Sequence, residues 1–433
     1  MVAQLGSRYN KLWSAGVVTN VGDGIMAAAL PLLVATLTRD AFLVALATVV
    51  HTLPWIVFEL FAGEVVDRVD RRKLMVVADI ARAGGVLLIA LLIVSGGISL
   101  AVIYAIAFLL GMAETLVDTS REALVPEVVA ANQLEIANGR SQAAEFTSDD
   151  LLGPPLGGFL FLLATGAPFF VNALAFAVAA ALIAWIPGSF RTDREVAHGV
   201  KALRKDIGEG LRWLWGHKVL RVLSLTAGLS NLVATAVLSV FVLYAQDVLE
   251  LGDLGFGIVL AAGGIGGILG AISAHSVEKA IGPGQLLILS VIGMAGGALT
   301  MALTSSPIVV GIAFALDGFM VSMWNVVVVS LRQALTPAEL RGRVSSDARV
   351  LAFGAIPIGA VVGGVLANFI GIRAPFYLAA GAFALAAVVI ARLISNQKIA
   401  DLRAEAGAGQ PDASRPAHPL HWKRSRRHPR HHS

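Results

Sequence analysis

Residues 63–74 read Gly63-Glu64-Val65-Val66-Asp67-Arg68-Val69-Asp70-Arg71-Arg72-Lys73-Leu74, and seven of the twelve are charged. On either side lie apolar segments, 41–62 and 74–94. Each is long enough to cross a bilayer, because ~20 residues at ~1.5 Å rise cover the ~30 Å hydrocarbon core. So charged a hairpin is excluded from lipid, which makes it a tight turn at a membrane surface. Its Arg and Lys run assigns it to the cytoplasmic surface.

The whole chain agrees with that reading. Of its 433 residues 57% are hydrophobic and 14% charged, and its mean hydropathy is +0.78. Soluble domains carry roughly 25% charged residues, so a chain this apolar reads as a polytopic membrane protein. It has no Cys, which excludes disulfides and thiolate metal sites or catalysis. No cleavable signal pattern opens the chain, so the first helix is expected to be retained.

Twelve apolar segments can be drawn: 12–38, 41–62, 74–94, 98–119, 149–165, 168–187, 219–243, 255–274, 284–304, 307–330, 349–369 and 374–394. With the N-terminus inside, the outward turns hold only Arg39 and Arg373, and the other 31 of 33 basic residues fall on or near the cytoplasmic side. The positive-inside rule therefore places both termini and the connection 188–218 in the cytoplasm. Arg82, about two turns into the third segment, is the least secure of these.

The connection 188–218 divides the chain into a six-helix half over 1–187 and another over 219–395. Within it Val200, Leu203, Ile207, Leu211 and Leu214 recur at helical spacing among Lys201, Arg204, Lys205 and Arg212. This reads as an amphipathic helix in the inner interface, with a solvated linker as the alternative. The tail 396–433, Gly- and Pro-containing and ending in a basic His-bearing run, reads as disordered and suited to anionic lipid.

The halves repeat each other. Arg121-Glu-Ala-Leu-Val-Pro126 returns as Arg332-Gln-Ala-Leu-Thr-Pro337. Gly153-Pro-Pro-Leu-Gly157-Gly158 returns as Gly359-Ala-Val-Val-Gly363-Gly364, and Ala167-Pro168-Phe169-Phe170 as Ala374-Pro375-Phe376-Tyr377. Order is kept, and the offset stays between 206 and 211 residues. Parallel duplication of six helices is how the major facilitator fold is built.

The opening stretch resembles that superfamily's signature between helices 2 and 3, G-x-x-x-D-R-x-G-R-R. Gly63, Asp67, Arg68, Arg71 and Arg72 match, and Asp70 stands where the pattern has Gly. Asp tolerates a left-handed turn better than most residues. The resemblance covers residues 10 to 395. It implies an all-α membrane fold of twelve helices in two six-helix bundles, and a secondary transporter rather than an enzyme. The segment before the seventh helix is similar to that of the drug- and siderophore-export branch. Gly153, Pro154, Gly157 and Gly158 resemble the Gly-Pro-x-x-Gly-Gly motif of export-direction members, and Arg341-Gly-Arg343 resembles the loop between helices 10 and 11.

No Walker loop is present, so ATP is not the expected energy source. The Gly-rich run 263–270 reads as close helix packing. Asp23 lies near the middle of the first segment, in Asn20-Val-Gly-Asp23, and the export branch has a similar motif there. A carboxylate at that depth costs roughly 2.5–3.5 kcal/mol on insertion scales, so it is expected to carry the coupled proton, to contact substrate or to pair helices. Glu114 and Asp118 lie one turn apart on one face, and Glu114 is the deeper candidate. Asp317 reads as the corresponding deep acid of the second half. His51, three residues before Pro54, can shuttle protons or bond a carbonyl freed by the proline. For Asp79, Glu59 and Arg82 the preferred reading is an i,i+3 pair that neutralises Arg82 or lets it reach the interface. Asp67, Arg71 and Arg72, with Arg121, Arg332, Arg341 and Arg343, are expected to form ion pairs between the halves when the inner gate is closed.

The expectation is proton-coupled export of a small amphipathic molecule such as a drug, macrolide or siderophore. A lipid or lysolipid flippase and a non-transporting scaffold or receptor are the alternatives. No cofactor, metal or nucleic acid is expected, and a monomer is.

Overall fold

The computed structural model describes residues 5–191, 208, 211–337 and 340–408. Among them there is no strand. Eleven helices are long and apolar enough to cross a membrane. The first half holds α1 (Gly6–Leu37), α2 (Ala41–Arg68), α3 (Arg71–Ser95) and α4 (Leu100–Val128). It continues with α5 (Leu134–Glu145), α6 (Gly153–Leu163) and α7 (Ala167–Ala184).

The second half holds α8 (Lys218–Leu238), α9 (Phe241–Asp247), α10 (Asp253–Ile281), α11 (Pro283–Leu303) and α12 (Pro307–Leu335). After them come α13 (Arg341–Phe353), α14 (Ala355–Phe369), α15 (Ala374–Leu393) and α16 (Asn396–Ala408). The twelfth crossing is the path α5–α6. It is continuously helical but divided by a π-helical segment, Phe146–Leu152.

That division has a local cause. Pro154 and Pro155 carry no N–H, so the carbonyls four residues before each lose their α-helical donors. The Gly153 N–H instead reaches the Ser148 carbonyl, five residues back, and the helix takes up one wide turn. The path between α13 and α14 breaks at Gly354, three residues before Pro357. Both crossings also begin earlier than expected, at 134 and 341 rather than 149 and 349.

Small residues set the packing, and the repeat is visible in it. A Cβ at Gly153 would fall on the backbone of Gly24, and one at Gly157 on the Ile25 carbonyl, so α6 lies directly against α1. In the second half, Gly359 and Gly363 press in the same way on Leu232 and Ala236 of α8. Gly158 faces the Asp253 carbonyl of α10, and Gly364 faces Phe42 of α2, which joins the halves. Packing by small residues lets backbones approach where lipid supplies no hydrophobic drive.

At the end away from the basic loops the halves are also tied by polar groups. Arg39 Nη2 lies 2.9 Å from Asp247 Oδ1, and Asn368 Nδ2 donates to Asp40 Oδ2 at 3.3 Å.

Three expectations need correction. The charged stretch is not a loop from residue 63, because α2 stays helical to Arg68 and α3 starts at Arg71. The turn is Val69–Asp70 alone. Helices project beyond a bilayer into water, where charged side chains cost nothing. Asp70 is also not left-handed: its φ is −67° and its ψ 113°.

The tail is not disordered from 396. The Asn396 side chain accepts from the Gly284 N–H at 2.7 Å and donates to the Ile281 carbonyl at 2.9 Å, and Ile399 is buried. Helix α16 is thereby docked on the start of α11. Residues 409–433 lie outside the described residues. So does most of the expected amphipathic helix in 188–218, although Leu214 is buried against Leu220 and Val344.

Candidate functional site

The polar centre of the molecule forms where α1, α2, α3 and α4 meet. Arg82 of α3 is 3% exposed, and its Nη2 lies 2.6 Å from Asp23 Oδ1 on α1. Its Nη1 is 3.7 Å from Asp79 Oδ1, whose side chain is fully buried. Its Nη2 is also 4.0 Å from Glu114 Oε2 on α4. The guanidinium lies over the Phe176 ring of α7, 4.0 Å from the centroid, a placement the ring quadrupole favours.

The preferred sequence reading of Arg82 holds in one part and is corrected in the other. The i,i+3 pair with Asp79 is present, but the side chain does not reach the interface. It turns inward to the acid fifty-nine positions earlier in the chain. An arginine stays charged in proteins, so a carboxylate must stand beside it wherever water is excluded.

His51 completes the group. Its Nε2 is 3.3 Å from Glu114 Oε2. Gly111 makes this possible: a Cβ there would fall on the His51 carbonyl oxygen, with Pro54 Cγ at 3.2 Å. Any larger residue at 111 would hold α2 away from α4, and Glu114 lies one turn further along the same helix. His51 thus pairs with the acid, and no hydrogen bond of its ring to a carbonyl is found among the described residues.

The other expected residues are distributed around this centre. Asn20 is buried one turn before Asp23. It lines a cavity of about 60 Å³ with Tyr9, Trp13, Arg121, Ser141 and Glu145. Arg121 lies 3.9 Å from Asp118 and against Gly16. Asp317 is half-buried on α12 and makes no ion pair or hydrogen bond among the described residues. It is not the positional counterpart of Glu114. Glu114 precedes Arg121 by seven residues, while Asp317 precedes Arg332 by fifteen, so Asp317 sits about two turns further from the basic end. The counterpart is Asn325.

The charged turn is built wholly within the first half. Arg71 is buried, pairs with Asp67 at 3.3 Å and bonds Glu127 of α4. Arg68 pairs with Glu64. Arg72 donates to the Ile186 carbonyl at 2.6 Å. Asp70 caps α3 by accepting from the Lys73 N–H, and its second oxygen accepts from Ser189 Oγ and the Phe190 N–H, each at 3.2 Å. Burial raises the Asp70 carboxyl, but these donors and Arg72 outweigh it and hold the group below its usual value. Asp70 thus fastens the start of the inter-half connection to the turn.

No ion pair joins the two halves at this end among the described residues. The side chains of Glu59, Arg341 and Arg343 lie outside them. Gly63 is helical with open space where a Cβ would stand, and nothing in the structure explains a glycine there.

Sequence reasoning missed the acids of the fifth crossing. Asp149 and Asp150 lie in the π-helical segment, their backbones pressed on Gly24 and Gly264. The signal was present: two adjacent acids open a segment otherwise apolar for fifteen residues. Asn172 was missed as well. It is fully buried on α7 against Gly22.

Comparison with known proteins agrees with this architecture. A family model described as "Transmembrane secretion effector" matches residues 5–417. The multidrug efflux pump Tap of Mycolicibacterium fortuitum is 29% identical over 376 residues, covering 84% of this chain and 90% of that protein. Macrolide efflux protein A of Streptococcus pyogenes is 25% identical over 413 residues, covering 92% and 98%. A crystal structure of a point mutant of the nucleoside transporter NupG superposes with a TM-score of 0.72 at 10% identity, covering 90% of this chain and all of that one.

Proposed function

The chain belongs to the transmembrane secretion effector family of the major facilitator superfamily, and on that premise we propose that it exports a small amphipathic molecule in exchange for protons, by alternating access. It is a transporter rather than an enzyme. The observation that carries the proton reading is the ionic group around Arg82. Three carboxylates stand around one fixed cation inside membrane-crossing helices, and an imidazole pairs with one of them. A protein that only scaffolds gains nothing from so costly an arrangement.

The polar ties at Arg39–Asp247 and Asp40–Asn368 support a state closed at the end away from the basic loops. In this reading the basic end, both termini and the connection 188–218 face the cytoplasm, and the transporter works as a monomer. Asp67, Arg71 and Arg72 would exchange their partners within the first half for partners in the second when the inner side closes. The relatives' names speak of drugs and macrolides, and a small partly apolar cargo suits a site between apolar helices. Siderophores belong to the same class of cargo.

The test is a panel of drugs, macrolides and siderophores in an efflux-deficient bacterium, with and without an uncoupler, repeated on purified protein in proteoliposomes with an imposed pH gradient. Uphill movement of at least one compound that collapses with the gradient is expected. Uphill movement indifferent to the uncoupler would overturn the proton coupling. Movement confined to lipids would replace the reading by a flippase.

A further inference from the structure

Resting on the proton-coupled reading above, we infer that the transported proton is carried by the Glu114–His51 pair, while the Arg82–Asp23 pair is its fixed counter-charge. Arg82 is permanently positive and buried, so it needs one carboxylate at every stage of a transport cycle. Asp23 fills that need best, at 2.6 Å with a charge-assisted hydrogen bond. An acid held this way is a poor place to put a proton, because each protonation would leave the guanidinium without its nearest partner.

Asp79 is the second acid. It is fully buried, and neither of its oxygens accepts a hydrogen bond. It has no contact with water through which protons could come and go. Asp23 is as open, at 27%, so access excludes Asp79 alone, and the close hold of Arg82 is what excludes Asp23. Glu114 is the third acid, the farthest of the three from Arg82 at 4.0 Å, with a side chain 22% exposed. It also has a titratable partner, since His51 Nε2 lies 3.3 Å away and that side chain is 36% exposed.

One proton added to the pair forms an O–H bond on Glu114, beside His51 Nε2. The same bond breaks on release, and nothing is oxidised or reduced. The cluster's three carboxylates against one arginine leave two surplus negative charges, so a proton is welcome there.

Among the described side chains, the following charged groups surround the pair. On α4 itself lie Asp118 and Arg121. Helix α1 offers Asp23, and α3 offers Arg82 and Asp79. The fifth crossing offers Glu145, Asp149 and Asp150. The eleventh crossing, which meets α2 through Phe353 on Trp55, carries Asp347 two turns before that ring. The acids outnumber the cations, and this favours holding the proton at the accessible pair. Gly111 is the positioning residue, since only the absence of a Cβ lets α2 and α4 close to this distance.

The test reads the protein without needing a substrate. Infrared difference spectra of the purified full chain are taken between about pH 5 and about pH 9, a span covering His and displaced carboxyl groups. A carboxylic C=O band that titrates in this range is expected in the wild type. It should vanish in Glu114→Gln and persist in Asp23→Asn. In His51→Gln and in Gly111→Ala it should remain but shift, because the imidazole partner is lost or withdrawn. The two latter variants keep the test decisive should Glu114→Gln fail to fold.

A band that survives Glu114→Gln and vanishes in Asp23→Asn would overturn the inference and make Asp23 the carrier. Absence of any titrating carboxyl in the wild type would overturn it too, while leaving export driven by another ion standing. If the band behaves as expected but no compound moves uphill under a pH gradient, the export reading fails and the proton site survives.

Discussion

Replacing Arg82 by Gln removes the one cation that Asp23, Asp79 and Glu114 share. At an effective dielectric of about 20, a unit pair at 2.6 Å is worth ~6 kcal/mol and one at 4.0 Å ~4 kcal/mol. Desolvation and the repulsion among three carboxylates consume much of this. What remains is the cost of stranding buried charge, about 3–5 kcal/mol. Asp23→Asn alone costs less, roughly 1.5–3 kcal/mol for one hydrogen bond to a charged group, since Arg82 keeps two other acids. In the double variant neither member of the closest pair is left stranded. Its cost should fall below the sum of the two single costs by ~2 kcal/mol, the size expected of groups in one network. Denaturant unfolding of the purified protein in detergent, followed by tryptophan fluorescence, measures all three variants. Pairing Asp23→Asn with Lys398→Gln, at an exposed site on another helix, is the additive control. Additivity of Arg82→Gln and Asp23→Asn within about 0.5 kcal/mol would refute a shared ionic centre.

Two glycines should respond oppositely to alanine. Gly153→Ala forces a Cβ onto the Gly24 backbone and should cost about 1–3 kcal/mol with loss of transport. Gly63→Ala, helical and with open space, should gain up to about 1 kcal/mol, as read in the same unfolding assay. The docking of Ser189 and Phe190 depends on ionised Asp70, whose folded value lies below the ordinary ~3.9. The stabilisation is therefore complete above about pH 4 and lost only as pH falls through that lower value. Hydrogen exchange at the Phe190 amide should stay slow in the wild type down to that point, and should be fast at neutral pH in Asp70→Ala. The chain has no Cys, so single cysteines report topology directly. Gly216→Cys should be shielded from an impermeant thiol reagent in intact cells and Gly252→Cys should react, both sites having open space for the side chain. The reverse pattern would invert the layout.

What the chain discloses in one dimension is its periodic and repeated part. A charged run between two bilayer-length segments, three ordered repeats and the asymmetry of Lys and Arg were enough for the two-bundle fold. The candidate site is legible only as a set of separate residues. Asp23, Glu114 and His51 stand out because each is polar in an apolar segment. Their assembly depends on Arg82, and a reading along the chain sees only its neighbour three residues away. It cannot see Asp23, which the packing of α1 and α3 against α7 brings to 2.6 Å. Gly111 is invisible for a similar reason. One glycine among 45 carries no mark of the carbonyl pressed against it. The helical start of the tail was missed because its anchor, Asn396, bonds to residues more than a hundred positions earlier.

The duplication bears on where the proposed coupling would reside. The two halves share their small-residue packing, their Arg-x-x-Leu-x-Pro ends and their helix breaks, yet they differ in charge. Helix α11, the counterpart of α3, has no ionisable residue anywhere in Pro283–Leu303. Helix α8, the counterpart of α1, has no acid. Glu114 is answered by Asn325, and Asp317 lies two turns away from that position. Since packing was retained on both sides, the scaffold does not require the ions. Their confinement to the first half is best explained by a task that only one half performs. In a carrier built from two bodies that rock against each other, one such site suffices to make the motion sensitive to protons. The other half can then shape the cargo cavity without paying the cost of buried charge.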